Sequence, residues 1–196
     1  MEISDTGKQL LLSLKETRKF FEQVSLLMRT VEDELAGKGW GNGLKNFSKR
    51  SSDISSDLYQ PQKWMPRMVS RLFVNEENKN IVLYVGVYFD VETDWEGFDQ
   101  PWLTCGLLKF APNQNTMDNP SIGWIDVHLV DEHPADGEFY RFTWEQDQIP
   151  DDGEFYRSSM ARPLIEFQNA NDITTKIVIP LMEELKYASN SIKWIE

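Results

Sequence analysis

One stripe of side chains near the start of the chain constrains its fold more than any other sequence feature. Its members recur at alternating intervals of four and three positions, and all but one are apolar. The stripe consists of Leu10, Leu14, Thr17, Phe21, Val24, Met28, Val31 and Leu35. This spacing follows one face of an α-helix, and the glycines at 37 and 39 supply a stop after it. The pattern predicts a helix over residues 8–36, about 43 Å long.

A helix of this length permits two arrangements. A sustained heptad stripe favours a dimeric coiled coil, which would make the chain a homodimer. The alternative is a helix laid across a sheet. Phe20 beside Phe21 widens the apolar face, and a wide face favours packing on a sheet. We therefore expect the helix to pack on a sheet and keep the homodimer as the alternative.

The segment that follows, residues 37–67, is a basic connection rich in glycine and serine. No apolar period persists in it, so it is predicted to be a long surface loop. Residues 37–71 carry seven basic and two acidic side chains, a net charge of +5, with aromatic residues interleaved. Basic and aromatic residues together can bind single-stranded nucleic acid. Because the rest of the chain is acidic, nucleic acid is expected to be a partner only through this segment.

From residue 68 the apolar period changes to two, which is typical of β-strands. Strands are predicted at 68–74, 81–90, 102–110 and 121–130. Residues 81–90 are apolar on both faces, which indicates a central strand covered on both sides. The connections hold many turn-forming residues and none is predicted to be helical, so the strands should form an antiparallel sheet.

Two nearly identical octapeptides end this region, PADGEFYR (134–141) and PDDGEFYR (150–157). Proline followed by Asp-Gly predicts a turn in which glycine supplies a positive φ, and EFYR should begin a short strand. The simplest interpretation is a small duplication of one turn and strand. The alternative is a pseudo-symmetric clamp for a ligand or partner, formed by Glu138, Arg141, Glu154 and Arg157.

The C-terminal region is predicted to be a helix over residues 171–189. Pro180 interrupts its pattern, so the helix is either kinked there or preceded by a short strand; we favour the kinked helix. Together these elements predict a single α+β domain over residues 1–196. Its antiparallel sheet, residues 68–158, has about five or six strands and is covered on one face by the N-terminal and C-terminal helices.

Charge and cysteine content limit the partners and the compartment. The net charge is −12, and residues 72–155 hold 18 acidic and three basic side chains, a net charge of −15. Such a chain favours a cationic protein or peptide as its partner. A single cysteine and the lack of a signal-peptide pattern predict a cytoplasmic protein. No apolar run approaches the roughly 20 residues that span a bilayer, so a membrane is not expected as a partner.

An acidic and aromatic stretch follows the second predicted strand, and it is the first candidate binding surface. It comprises Asp94, Trp95, Glu96, Phe98, Asp99 and Trp102. Aromatic side chains anchor interfaces and carboxylates steer positive partners. Two alternatives are a solvated loop and a site for Ca²⁺ or Mg²⁺, although the spacing of a helix–loop–helix calcium site is absent.

Both histidines of the chain lie close together beside carboxylates. The predicted metal ligands are Asp126, His128, Asp131 and His133. Mixed imidazole and carboxylate ligands suit zinc, manganese or iron, and a metal held there would support hydrolysis. No known catalytic motif occurs, and no cofactor is expected. The preferred interpretation is a non-catalytic protein-binding or regulatory module with an acidic, tryptophan-bearing surface; a metal-dependent hydrolase is the alternative.

Overall fold

The computed structural model of the chain describes residues 5–41, 66, 68–89, 100–112, 137–145, 149 and 153–193, and the backbone of 49–51. Its elements are α1 (Asp5–Ala36), β1 (Lys49–Ser51), β2 (Met68–Val74), β3 (Ile81–Tyr88), β4 (Trp102–Phe110), β5 (Tyr140–Thr143), β6 (Glu154–Pro163), a 3-10 turn (Leu164–Glu166), α2 (Ala170–Ile173), a π turn (Thr174–Val178) and α3 (Ile179–Ser191). The predicted strand at 121–130 lies outside these residues.

The described strands form one antiparallel sheet in the order β1-β2-β3-β4-β6-β5. This confirms the predicted α+β fold with an N-terminal helix, a C-terminal helix and a sheet of five or six strands. β6 lies between β4 and β5, so the second copy of the repeat is central and the first is at the edge. All eight residues of β3 are buried, which confirms a central strand covered on both sides.

The main core lies on the sheet face formed by Leu83, Val85 and Cys105. These residues belong to one buried cluster with residues of both terminal helices. From α1 the cluster includes Val24, Met28, Val31 and Leu35, and from the C-terminal helical region it includes Ile173, Ile177, Val178, Leu181 and Ala188. Tyr84 and Leu108 belong to a second buried cluster on the opposite face of the sheet.

The fully buried residues of α1 lie in its C-terminal half, and Phe20 packs against the core at the start of this contact. The four buried residues all lie between Val24 and Leu35. The Nε atom of Arg71 on β2 donates a hydrogen bond of 2.6 Å to Oε1 of Glu32, which fixes this half against the sheet. Phe89, just after β3, meets Phe20 and Phe21 edge to face, with ring centroids 5.6 and 5.0 Å apart. The helix therefore leaves the core at the end of the sheet where β3 ends.

The chain is helical from α2 through the π turn to α3, and Pro180 lies in the first turn of α3. Residues 173–179 do not form the strand that was the alternative to a kinked helix. The wide π turn ends two residues before the proline, whose missing N–H and bulky ring disturb regular α-helical hydrogen bonding. No helix in the described part of the chain combines the length and hydropathy of a membrane span.

Candidate functional site

Five of the predicted binding residues lie within the described part of the chain: Trp102, Glu138, Arg141, Glu154 and Arg157. The other members of the acidic and aromatic surface, Asp94, Trp95, Glu96, Phe98 and Asp99, lie outside it. So do the four predicted metal ligands, Asp126, His128, Asp131 and His133. Within the residues that the structure does describe, no group of three or more His, Cys, Asp or Glu side chains is arranged to hold a metal ion.

The two copies of the repeat share a turn but differ in their contacts. Gly137 and Gly153 both adopt a positive φ, 75° and 76°, which confirms the predicted turn. Arg157 binds Glu154 of its own copy, with Nε 2.7 Å from Oε1. Arg141 binds Glu184 on α3 instead.

The register places the two arginines on opposite faces of the sheet, because Arg157 lies opposite Phe142, the residue next to Arg141 on β5. The two Glu/Arg pairs therefore do not converge on one site.

A polar cluster lies under α3, and its centre is the carboxylate of Glu184, whose side chain is fully buried. The guanidinium of Arg141 donates to both carboxylate oxygens: Nε lies 3.1 Å from Oε1, and Nη2 lies 2.6 Å from Oε2. The Tyr156 hydroxyl on β6 donates to Oε1 at 2.5 Å. Arg141 also lies over the ring of Tyr187, 4.5 Å from its centroid. The cluster ties β5, β6 and α3 together.

The protonation of this cluster follows from burial and charge. Burial raises the pKa of the Tyr156 phenol, and the hydrogen bond to Glu184 raises it further. The hydrogen bond to Glu184 raises the pKa of Arg141. Tyr156 is thus a neutral donor and Arg141 a cation at neutral pH. These groups satisfy one another, which is the arrangement of a structural network rather than of an exposed acid or base.

Cys105 is fully buried in β4, in agreement with its apolar sequence context. Burial raises the pKa of its thiol. Since the thiolate is the nucleophilic form, this environment opposes nucleophilic chemistry at neutral pH.

An apolar groove of about 570 Å³ on the described surface could accept a ligand. One wall is α1 from Phe20 to Thr30, and the other is the segment from the 3-10 turn to α2. Its apolar lining includes Phe20, Val24, Leu27, Leu164, Phe167 and Ile173. Amide side chains border it, from Gln23, Gln100, Gln168 and Asn169. Along α1 the groove extends about 15 Å, roughly three helical turns.

Two exposed hydrophobic residues lie on the walls of the groove. Leu26 is 58% exposed and Ile165 is 74% exposed. Large apolar side chains at the edges of an apolar groove are typical of a protein-binding surface. Gln100 and Pro101, which directly follow residues 90–99 in the sequence, also line the groove.

Sequence analysis missed the polar cluster and the groove. A signal for the cluster was present: Glu184 falls on the helical stripe of Ile177, Leu181 and Ala188, where an apolar residue is expected. A charged residue in such a position indicates a buried partner of opposite charge. The groove has no such signal, since its walls come from segments more than 130 residues apart in the chain.

Comparison with known proteins adds no functional information. No protein-family model matches the chain, and no curated protein or solved structure shows significant similarity to it.

Proposed function

We propose that this chain is a non-catalytic protein-binding module that holds an amphipathic, basic helix of a partner in the groove between α1 and residues 164–173. The observation that carries the proposal is the groove itself, an apolar channel flanked by exposed Leu26 and Ile165. An amphipathic helix that lays its apolar face into such a groove is a recurring mode of peptide recognition. The length along α1 suits a helix of about ten residues.

The distribution of charge supports a basic partner. Residues whose backbone the structure describes carry 17 Lys and Arg against 15 Asp and Glu, a net charge of +2. The remaining residues carry three basic and 17 acidic side chains, a net charge of −14. The acidic excess thus comes from residues outside the described part of the chain.

One acidic segment is flanked in the sequence by residues at the groove. Residues 90–99 contain five acidic and no basic side chains. The residue before them, Phe89, contacts Phe20 of the groove wall, and the residue after them, Gln100, lines the groove. A basic helix in the groove would be attracted by these carboxylates, which would raise its association rate and make binding depend on salt.

A designed peptide tests the proposal without a known partner. The probe is a fluorescein-labelled 14-residue helix with leucines at positions i, i+3, i+4 and i+7 and lysines elsewhere; its control has the same composition in scrambled order. Fluorescence anisotropy measures binding to the full chain. We expect Leu26→Asp and Ile165→Asp to weaken binding at least about 10-fold, while Ile179→Asp, an exposed residue of α3 outside the groove, leaves it unchanged.

Two outcomes would reject the groove as the binding site. One is equal binding of the ordered and scrambled peptides, which would indicate attraction by charge alone. The other is equal binding by the Leu26 and Ile179 variants. The role of the acidic segment is tested separately: Asp94→Asn, Glu96→Gln and Asp99→Asn together should weaken binding and reduce its dependence on salt.

The metal-dependent hydrolase remains a prediction from sequence, since Asp126, His128, Asp131 and His133 lie outside the described residues. A metal bound by the folded chain would raise its melting temperature. Thermal melting with Zn²⁺, Mn²⁺ or a chelator, compared with the His128→Ala and His133→Ala variants, tests this hypothesis. A melting temperature that responds to none of them would reject it.

A further inference from the structure

The N-terminal half of α1 presents a row of leucines to solvent. Leu10, Leu11, Leu12 and Leu14 are between 49% and 63% exposed, and no residue of α1 before Val24 is buried. The 19 residues from 5 to 23 form about 28 Å of helix. An exposed helix of this length is only marginally stable in water, so a surface that buries its leucines would stabilise it.

The dimensions of the sheet explain why the helix extends beyond the core. α1 has 32 residues and β3 has eight. At about 1.5 Å per helical residue and 3.4 Å per strand residue, the helix is about 48 Å long and the strand about 27 Å. About 20 Å of helix therefore has no strand beneath it.

The exposed half continues the stripe of the buried half. Leu10, Leu14, Thr17 and Phe21 follow the same alternation of four and three as Val24, Met28, Val31 and Leu35. Phe21 packs on Phe89 at the point where the exposed and buried parts meet. Thr17 is the one polar member, and its hydroxyl already donates a hydrogen bond of 2.9 Å to the carbonyl of Ser13. The part of the stripe before Val24 can therefore enter an apolar interface without leaving a side-chain donor unsatisfied.

Charged residues of this half lie away from the stripe. With 3.6 residues per turn, Asp5, Lys8, Lys15, Glu16, Lys19 and Glu22 all fall on the opposite side of the helix. Asp5 pairs there with Lys8, and Lys19 pairs with Glu16 at 2.8 Å. The positions that flank the stripe hold the uncharged residues Leu11, Ser13 and Phe20 and one charged residue, Arg18.

We propose that residues 5–23 of α1 pair with the same residues of a second copy of this chain, so that the protein is a homodimer joined by a short two-stranded coiled coil. The charge pattern favours a second copy over another partner. Residues 5–23 have four basic and three acidic side chains, so two copies do not repel strongly, although the whole chain has a net charge of −12. A seam with apolar residues at heptad spacing and charges on the outer surface is the requirement for self-pairing.

Sedimentation equilibrium of the full chain between 1 and 100 µM tests the proposal. The variant is Leu10→Glu with Leu14→Glu, in the stripe. The matched control is Leu12→Glu, since Leu12 is 58% exposed and Leu14 is 60% exposed, but Leu12 lies on the opposite side of the helix. We expect the wild type and the control to be dimers, and the stripe variant to dissociate with a dissociation constant raised about 100-fold or more.

Three results would overturn the proposal. The first is a wild-type chain that remains a monomer at 100 µM. The second is a control that dissociates as readily as the stripe variant. The third is loss of the near-UV circular dichroism of the stripe variant, which would show that the same chain buries Leu10 and Leu14.

Discussion

Arg141 on β5 and Glu184 on α3 are 43 residues apart in the sequence and form a bidentate, hydrogen-bonded ion pair. The burial of the two partners is unequal. The carboxylate is fully buried, whereas 45% of the arginine side chain is exposed. If the pair is broken, the arginine can be solvated by water but the buried carboxylate cannot. Arg141 therefore stabilises this region more than a half-exposed side chain usually does.

Replacing Arg141 with alanine should therefore destabilise the fold by about 2–3 kcal/mol, because the buried carboxylate loses its cation. This value is lower than for a fully buried ion pair, since the arginine is partly exposed to water. The triple variant Arg141→Met, Tyr156→Phe and Glu184→Leu should recover most of this loss, because it leaves neither a buried charge nor a phenol without its acceptor. Urea denaturation measures both variants. Lys19→Ala, which breaks an exposed pair, is the control and should have no measurable effect. If the triple variant is less stable than Arg141→Ala, the argument about the buried charge is wrong.

The phenol of Tyr156 makes the stability of the fold sensitive to alkaline pH. Its pKa in the folded chain is raised above the ordinary value of 10, first by burial and then by Glu184. The folded state therefore keeps a proton that the unfolded state releases. The stabilisation is fully present below pH 10 and is lost as the pH rises further, by about 1.4 kcal/mol per pH unit.

Comparison with Tyr156→Phe isolates this effect, because the variant retains every other titrating group. At pH 8 we expect the variant to be less stable by about 1.5–3 kcal/mol, since it loses a hydrogen bond to a charged group. Between pH 10 and 11 the advantage of the wild type should shrink. Urea denaturation at pH 8, 9, 10 and 11 measures it, and a constant difference across this series would contradict the raised pKa.

The elements of the fold that were predictable from sequence are those with strong local periodicity. The strands at 68–74 and 102–110 were predicted at their observed bounds. The long helix was predicted because its stripe persists over eight members. What could not be predicted is where α1 leaves the core, beside Phe20, since the stripe keeps the same spacing before and after that point. That boundary depends on the length of the strands beneath the helix.

The candidate site was less predictable than the fold. Glu154 and Arg157 share one copy of the repeat and contact each other, which local spacing allows. Arg141 occupies the equivalent position in the other copy but contacts α3, because the register places it on the same sheet face as Tyr156 and places Arg157 on the opposite face. Sequence similarity between the copies therefore gave no indication of their different partners. The groove depends on the packing of α1 against α2, which no local pattern encodes.

Lys109 should contribute to stability as a cap for the C-terminal end of α3. Its ammonium group donates hydrogen bonds of 2.8 and 2.6 Å to the carbonyl oxygens of Ala188 and Ile192. Terminal carbonyls of a helix lack partners within the helix, and a cation there also interacts favourably with the helix dipole. Burial lowers the pKa of this lysine, which offsets part of the gain.

Lys109→Met keeps the apolar stem and removes the donors, so we expect a loss of about 1–3 kcal/mol. Lys186→Met, at an exposed position of the same helix, should change stability by less than about 0.5 kcal/mol. Hydrogen exchange of the last turn of α3 provides a local measurement. Faster exchange there in the Lys109 variant, with unchanged exchange in α1, is the expected result; equal exchange would show that the lysine does not cap the helix.

The turn glycines of the repeat should be sensitive to substitution, although the side chains that follow them have different partners. Gly153→Ala forces an alanine to a φ of 76°, which should cost about 1–2 kcal/mol. Gly137→Ala carries the same strain at 75°, and its Cβ would also overlap the guanidinium of Arg162. We therefore expect Gly137→Ala to be at least as destabilising.

Gly41 provides the matched control for these two variants. Its φ is not positive, and a Cβ built there meets no atom within 4 Å. Because alanine reduces the conformational entropy of the unfolded chain, Gly41→Ala should leave the free energy of unfolding unchanged or raise it by up to about 1 kcal/mol. Thermal and urea denaturation of the three variants test the ranking. If the repeat glycines tolerate alanine as well as Gly41 does, then the shared sequence of the two copies does not reflect a shared requirement for a positive φ.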